Sequence, residues 1–218
     1  MSNKVISTIR ENYDRLAEEY ANRLFNELQH KPLDRKLLDR FAEQTRGRGD
    51  VCDLGCGPGH VARYLYDLEV SVFGLDLSPG MLEQARRLNP HIPFREGNML
   101  SLNIATGTLA GIAALYAIVN IPELSLVMAF LEMARVLIPG GLLLIAFHIG
   151  DEVVHVHELW GQPVTIDFFL FKTAEIRQGL EAAGLSVDEV VERDPYPEVE
   201  YQSRRAYILA RKPASLVK

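Results

Sequence analysis

Along the 218-residue chain the spacing of hydrophobic positions changes several times, and each change marks an element. Ile9, Tyr13, Leu16, Ala17, Tyr20 and Leu24 recur every three or four residues, which predicts a helix with one apolar face over residues 5–28. A second helix is predicted over 33–42, and Arg46-Gly47-Arg48-Gly49-Asp50 breaks it. Short apolar runs then alternate with helical patterns. Strands are predicted over 51–54, 71–76, 93–96, Leu109–Leu115 and 142–147, with helices over His60–Asp67, Pro79–Leu88 and Glu123–Val136. Ser78 before Pro79 is an N-cap followed by proline at the first helical position, and Pro139-Gly140-Gly141 stops the Glu123 helix. Strands joined through helices predict an α/β fold, a parallel sheet with helices on both faces. The end departs from this: after a helix over 173–183, strands over 185–192 and Arg205–Arg211 are separated only by a loop holding Asp194-Pro195-Tyr196-Pro197. That pair predicts a C-terminal antiparallel hairpin, hence one reversed strand near an edge of a mostly parallel sheet.

Composition narrows the function classes. Hydrophobic residues at 48% and charged residues at 24% are a globular balance, and the length suits one α/β domain. The net charge of −6 comes without any run of five Lys or Arg, which disfavours nucleic-acid and anionic-membrane partners. The first ten residues lack the apolar core of a signal peptide, and the stretches 109–121 and 136–149 are too short to span a bilayer. The expected location is therefore cytoplasmic. The two cysteines, Cys52 and Cys56, have no further thiol partners, so they predict neither a disulfide framework nor a zinc site.

The chemistry is concentrated in Val51-Cys52-Asp53-Leu54-Gly55-Cys56-Gly57-Pro58-Gly59-His60. A strand ends in an acidic residue, three glycines alternate, and a helix opens. Glycines permit positive φ and let a ligand lie on bare backbone, while the helix start presents unpaired N–H groups. Asp76 ends the next strand, where a carboxylate can accept both hydroxyls of a ribose. A dinucleotide-binding reading competes here, because Gly57-Pro58-Gly59-His60-Val61-Ala62 satisfies G-x-G-x-x-G/A. Against it stand Asp53, which would repel a pyrophosphate but welcome a cationic amino acid, the helical segment ahead of the loop, and the terminal hairpin.

Residues 51–59 resemble motif I of class I S-adenosylmethionine-dependent methyltransferases. Gly74-Leu75-Asp76-Leu77-Ser78-Pro79 with Met81 resembles the ribose motif that follows, and Glu96-Gly97-Asn98-Met99 the adenine motif. Ala134-Arg135-Val136-Leu137-Ile138-Pro139-Gly140-Gly141 resembles the turn before the fifth strand. The matches come in family order over about residues 10–212. The resemblance implies a Rossmann-like, seven-strand, mostly parallel sheet with its last strand antiparallel, in one methyltransferase domain over 1–218. Within it, 1–45 is a helical cover, 46–149 the donor-binding half, 150–172 an acceptor-side insertion, and 173–212 the last helix and hairpin. It implies S-adenosyl-L-methionine as methyl donor, S-adenosyl-L-homocysteine as product and a small-molecule acceptor. The implied donor-binding residues are Asp53, Gly55, Cys56, Gly57, Gly59, Asp76, Leu77, Met81, Asn98, Met99 and Leu115. Tyr20 and Arg23 of the cover are in reach of the donor's carboxylate or sulfonium, although Tyr13 and Tyr20 also read as core residues of an amphipathic helix.

The sequence departs from the family at three points. Ala110 stands where the fourth strand often has an acid, Asn98 where Asp is frequent, and 114–122 lacks the D/N-P-P-Y/F signature of base and glutamine methylation. Between the fifth strand and the 173 helix, Val153–Leu159 and 164–171 predict an extra hairpin over the sheet's edge, turning through Trp160-Gly161-Gln162-Pro163. His148, just past the fifth strand, is the candidate general base, with Tyr116 as alternative or helper and Trp160 closing the cavity. Both also read as mere pocket lining. His148, His155 and His157 share a strand-like spacing but no carboxylate shell, so no metal is predicted. Arg204 and Arg205 read as solvated surface cations or as partners for an anionic acceptor. A donor-binding module without catalysis and an RNA or protein methyltransferase remain as other readings. The acceptor's identity and the oligomeric state stay open.

Overall fold

A computed structural model of the chain describes residues 1–214. The helices are α1 (Asn3–Leu24), α2 (Pro32–Thr45), α3 (His60–Asp67), α4 (Pro79–Leu88), α5 (Glu123–Val136) and α6 (Thr173–Ala182). The strands are β1 (Asp50–Leu54), β2 (Val72–Asp76), β3 (Phe94–Glu96), β4 (Leu109–Leu115), β5 (Leu137–His148), β6 (Val153–Leu159), β7 (Gln162–Phe169), β8 (Ser186–Arg193) and β9 (Arg205–Arg211). Seven of them form one sheet in the order β3-β2-β1-β4-β5-β9-β8, and β6 and β7 form a separate pair. The first five run parallel, while β9 is antiparallel to both β5 and β8. The predicted fold class and terminal hairpin are thus present, with β9 as the reversed strand and β8 on the edge.

The central strands β1 and β4 are apolar on both faces because helices cover both. On one face Phe130, Met133 and Leu180 of α5 and α6 pack against Ile112, Leu143 and Ile145. On the other, Phe41, Val61, Leu65 and Leu82 of α2, α3 and α4 pack against Val51, Ala113 and Leu144. Edge strand β8 alternates exposed and half-buried positions and carries charge along its outer side, which discourages pairing with another chain.

Three elements differ from expectation. The first helix ends at Leu24, and a short 3₁₀ turn, Glu27–His30, follows. Arg35 donates to the carbonyls of Leu28 and Gln29, which supplies partners the continued helix would have supplied. Strand β5 begins at Leu137, so it runs through Pro139-Gly140-Gly141 instead of starting after it; Gly140 adopts φ 77° and its N–H reaches the Lys212 carbonyl. The β6–β7 hairpin lies on α1 rather than over the sheet's edge. Val164 and Ile166 bury against Leu16, and the Asn12 amide exchanges hydrogen bonds of 2.9 and 3.0 Å with the Thr165 backbone, as a neighbouring strand would. Among the described residues no helix is long and apolar enough to cross a membrane.

Candidate active site

A cleft open to solvent crosses the C-terminal ends of β1, β2 and β4, under α1. Chain order along the sheet reverses between β1 and β4, and ligands of open α/β sheets bind at such a switch point. The loop after β1 holds Gly55 at φ 71° and Gly57 at φ 52°. A Cβ on Gly55 would stand 2.7 Å from the Ala117 Cβ, so close approach of two chain segments demands glycine there. Gly55 and Cys56 donate to the Leu75 carbonyl at 2.7 and 3.1 Å, fixing the loop to the end of β2.

Asp76 stands at the centre. Its Oδ2 accepts from Gly57 N and its Oδ1 from Ser78 N, both at 2.9 Å, so the carboxylate is aimed while each oxygen keeps a free lone pair. Burial raises its pKa, opposed by the Ser78 and Gly57 amides. On one side of Asp76 the cleft is lined by Leu77, Met81, Asn98 and Met99, a slot that suits a flat apolar ring with a polar edge. The Asn98 Oδ1 accepts from Leu100 N at 2.9 Å, which holds the amide in the turn. On the other side lie Tyr20, Gly55, Cys56 and Gly57, and beyond them Leu115 and Tyr116.

The cover is anchored by polar side chains. Asp14 of α1 accepts from Ser78 Oγ at 2.6 Å and from Gly80 N at 2.8 Å, clamping α1 to the start of α4. Tyr13 donates to Asn120 Oδ1 at 2.6 Å, and Asn120 donates to the Asp167 carbonyl at 2.9 Å, which ties α1, the chain after β4 and β7 together.

Several predicted residues lie off the cleft wall. Asp53 is 2% exposed and its Oδ2 accepts from Ala62 N at 2.8 Å, so it caps α3 from within the core. Burial drives its pKa up to about 7, and the carboxyl faces the start of α3 instead of the cleft wall. Gly59, at φ 82°, is the N-cap of α3; a Cβ there would stand 2.7 Å from Phe94, so packing requires this glycine. Arg23 is exposed, pairs with Glu19 at 2.9 Å and lies over the Trp160 ring. Trp160 in turn packs edge-on against Tyr20 at 5.7 Å, so it supports that wall from behind instead of closing the cavity.

The acceptor-side pair is also rearranged. Tyr116, at φ 57°, lines the cleft with its ring, but its hydroxyl is 3.0 Å from Tyr207 Oη, and burial raises its pKa. His148 sits behind it, ring centroids 5.1 Å apart, with Nδ1 2.7 Å from Ser203 Oγ. Burial, then Arg205 and Lys31, push the His148 pKa down to about 4. Arg205 is not a surface cation: it is 2% exposed and paired with Glu200 at 2.9 Å, while Arg204 is exposed and pairs with Glu192. His155 bonds to Asp167 at 2.6 Å, and among the described residues no three His, Cys, Asp or Glu side chains converge as metal ligands.

Sequence reasoning missed Glu27, His60 and Lys31. Glu27 and His60 line the cleft beside Gly55 and Gly57, and Lys31 is buried behind them. His60 follows the glycine loop directly and was legible as a neighbour. Glu27 and Lys31 come from the 3₁₀ turn and the start of α2, where no pattern marks them.

A family model described as a methyltransferase domain matches residues 51–141. The trans-aconitate 2-methyltransferase of Methylobacterium nodulans is 50% identical over 58 residues, which cover 24% of this chain and 21% of that protein. The malonyl-[acyl-carrier protein] O-methyltransferase of Enterobacter lignolyticus is 30% identical over 134 residues, covering 61% of this chain and 53% of that protein. The chain therefore spans about a fifth of the first relative's length and about half of the second's. Among solved structures, the DhpI–SAH complex superposes with a TM-score of 0.73 at 22% identity, over 98% of this chain and 99% of that one, a likeness of fold. A methyltransferase domain is thus matched across the glycine loop, in a sheet order and with motifs in sequence that resemble the class I S-adenosylmethionine-dependent methyltransferases.

Proposed function

We propose that the cleft binds S-adenosyl-L-methionine and that the protein transfers its methyl group to a small-molecule acceptor by in-line displacement. The observation that carries the reading is Asp76, aimed by two backbone amides into the middle of a cleft with an apolar slot on one side and bare glycine backbone on the other. The donor set fits this compound. Asp76 would take the ribose hydroxyls, Leu77, Met81, Asn98 and Met99 the adenine, and the Gly55–Cys56–Gly57 backbone the methionine portion. When bound, the donor supplies an activated methyl group on a sulfonium.

The chain's contribution is alignment and exclusion of water. Tyr13 and Tyr20 cover the cleft from α1, and Leu115 and Tyr116 form the wall past which an acceptor would approach. Tyr116 and His148 act here as a positioned aromatic wall, since the Tyr116 hydroxyl is engaged by Tyr207 and His148 is a weak base held by Ser203. A dinucleotide is disfavoured because Glu27, ionised beside the glycine loop, would face its pyrophosphate. Incubation with methyl-labelled donor and a panel of small organic acids, alcohols and amines tests the proposal. Label should enter a small molecule. Transfer only to RNA or protein, or donor binding with no transfer to any of these, would contradict it.

A further inference from the structure

The amino-acid tail of the proposed donor carries a positive ammonium, and the residue expected to meet it, Asp53, is sealed in the core. Only two carboxylates line the cleft among the described residues, Asp76 and Glu27. We propose that Glu27 receives the donor's α-ammonium and that Lys31 and His60 hold it in position, an inference that rests on the donor reading of the cleft.

Glu27 lines the cleft with Tyr20, Gly55, Cys56, Gly57 and His60, the stretch of wall reached by a tail running away from Asp76 past the glycine loop. Its side chain is 17% exposed, open to the cleft but largely shielded from bulk water. Burial alone would raise its pKa, yet His60 and Lys31 outweigh that and bring it down to about 2, so the group is an anion throughout the working pH range. The orientation is fixed from two sides: Oε1 is 3.2 Å from His60 Nε2 and Oε2 is 2.8 Å from Lys31 Nζ. Lys31 is itself anchored, 4% exposed, with Glu200 at 3.7 Å and the Tyr116 ring beneath its ammonium at 5.2 Å. Each carboxylate oxygen uses one lone pair on these partners and keeps another. A preorganised, partly desolvated anion of this kind binds an ammonium through a charge-assisted hydrogen bond. The same contact would explain the break between α1 and α2, because a helix continued past Leu24 would not bring Glu27 to His60.

The test compares two ligands that differ only at this end. S-adenosylhomocysteine carries the amino-acid tail; 5′-methylthioadenosine keeps the nucleoside and the sulfur and lacks the tail. Glu27→Gln retains the size and one oxygen that can accept from Lys31, and removes the charge. Calorimetry should find S-adenosylhomocysteine bound roughly 10- to 100-fold more weakly by Glu27→Gln than by the unsubstituted protein, with methylthioadenosine affinity unchanged within about twofold. Equal losses for both ligands would make Glu27 a structural residue, and no loss for S-adenosylhomocysteine would remove it from the tail site; either overturns the proposal and leaves the donor reading standing. Failure of the unsubstituted protein to bind either ligand would overturn the donor reading, and this inference with it.

Discussion

The two ends of the cleft are built from different materials. The proposed donor end is framed by backbone between residues 51 and 99: glycine φ angles, amides of Gly57 and Ser78 on Asp76, and the Leu75 carbonyl under Gly55 and Cys56, with Tyr20 and Glu27 added from the N-terminal segment. The wall at the proposed acceptor end, Tyr116, is backed by a network of side chains drawn from the whole chain. Tyr207 donates to Asp34 at 2.9 Å across 173 positions, Arg193 reaches Asp34 at 3.2 Å across 159, and Glu200 pairs with Arg193 and Arg205. Backbone sites of the first kind tolerate little variation, because a Cβ at Gly55 would collide with Ala117. Side-chain networks of the second kind are costly to bury and add little net stability, but they fix geometry. Tyr116, whose hydroxyl meets this network at Tyr207, stands in a left-handed conformation uncommon for a tyrosine.

This division makes opposite demands on substitutions at the two ends. The largest effect is expected at the donor end. Asp76→Ala should weaken S-adenosylhomocysteine binding by about 2–4 kcal/mol, since two charge-assisted hydrogen bonds to the ribose and the support of Gly57 are lost together. Calorimetry finding unchanged affinity would mean the sugar is held elsewhere, and the comparison of the two ends would lose its first half.

The smallest effect is expected at His148. With its pKa depressed to about 4, the imidazole is neutral above that pH, and deprotonation gains nothing between pH 5 and 8. His148→Gln should therefore change kcat by less than about tenfold and leave the pH–rate profile flat over that range, the main change falling on acceptor KM through the placement of Tyr116. A loss of roughly 10²–10⁴-fold in kcat would make His148 a general base after all and the acceptor end chemically active.

The same division accounts for what was legible in the sequence. The β1 loop, Asp76 and the Asn98–Met99 turn could be read because glycine conformation, strand end and helix start are local properties that fall within a few residues of each other. Local reasoning went wrong where tertiary packing decides. Asp53 sits in the motif but faces the interior, because β1 is covered on both sides and Ala62 N needs a cap. The hairpin of β6 and β7 left the sheet's edge because Asn12 of α1 offers its second strand an amide partner. Arg205 looked like a surface cation because nothing near it in sequence predicts Glu200 folding back at 2.9 Å. Glu27 follows an amphipathic helix as one acidic residue among many, and only the turn after Leu24 makes it part of the cleft.

The central claim, that this cleft is a site for S-adenosylmethionine, is tested most directly by thermal denaturation with and without ligand, since a ligand that binds only the native state stabilises it by mass action. S-adenosylhomocysteine at about 100 times its dissociation constant should add about 2.7 kcal/mol and raise the Tm by several degrees, while NAD at the same concentration leaves it where it was. A shift with NAD and none with S-adenosylhomocysteine would contradict the account.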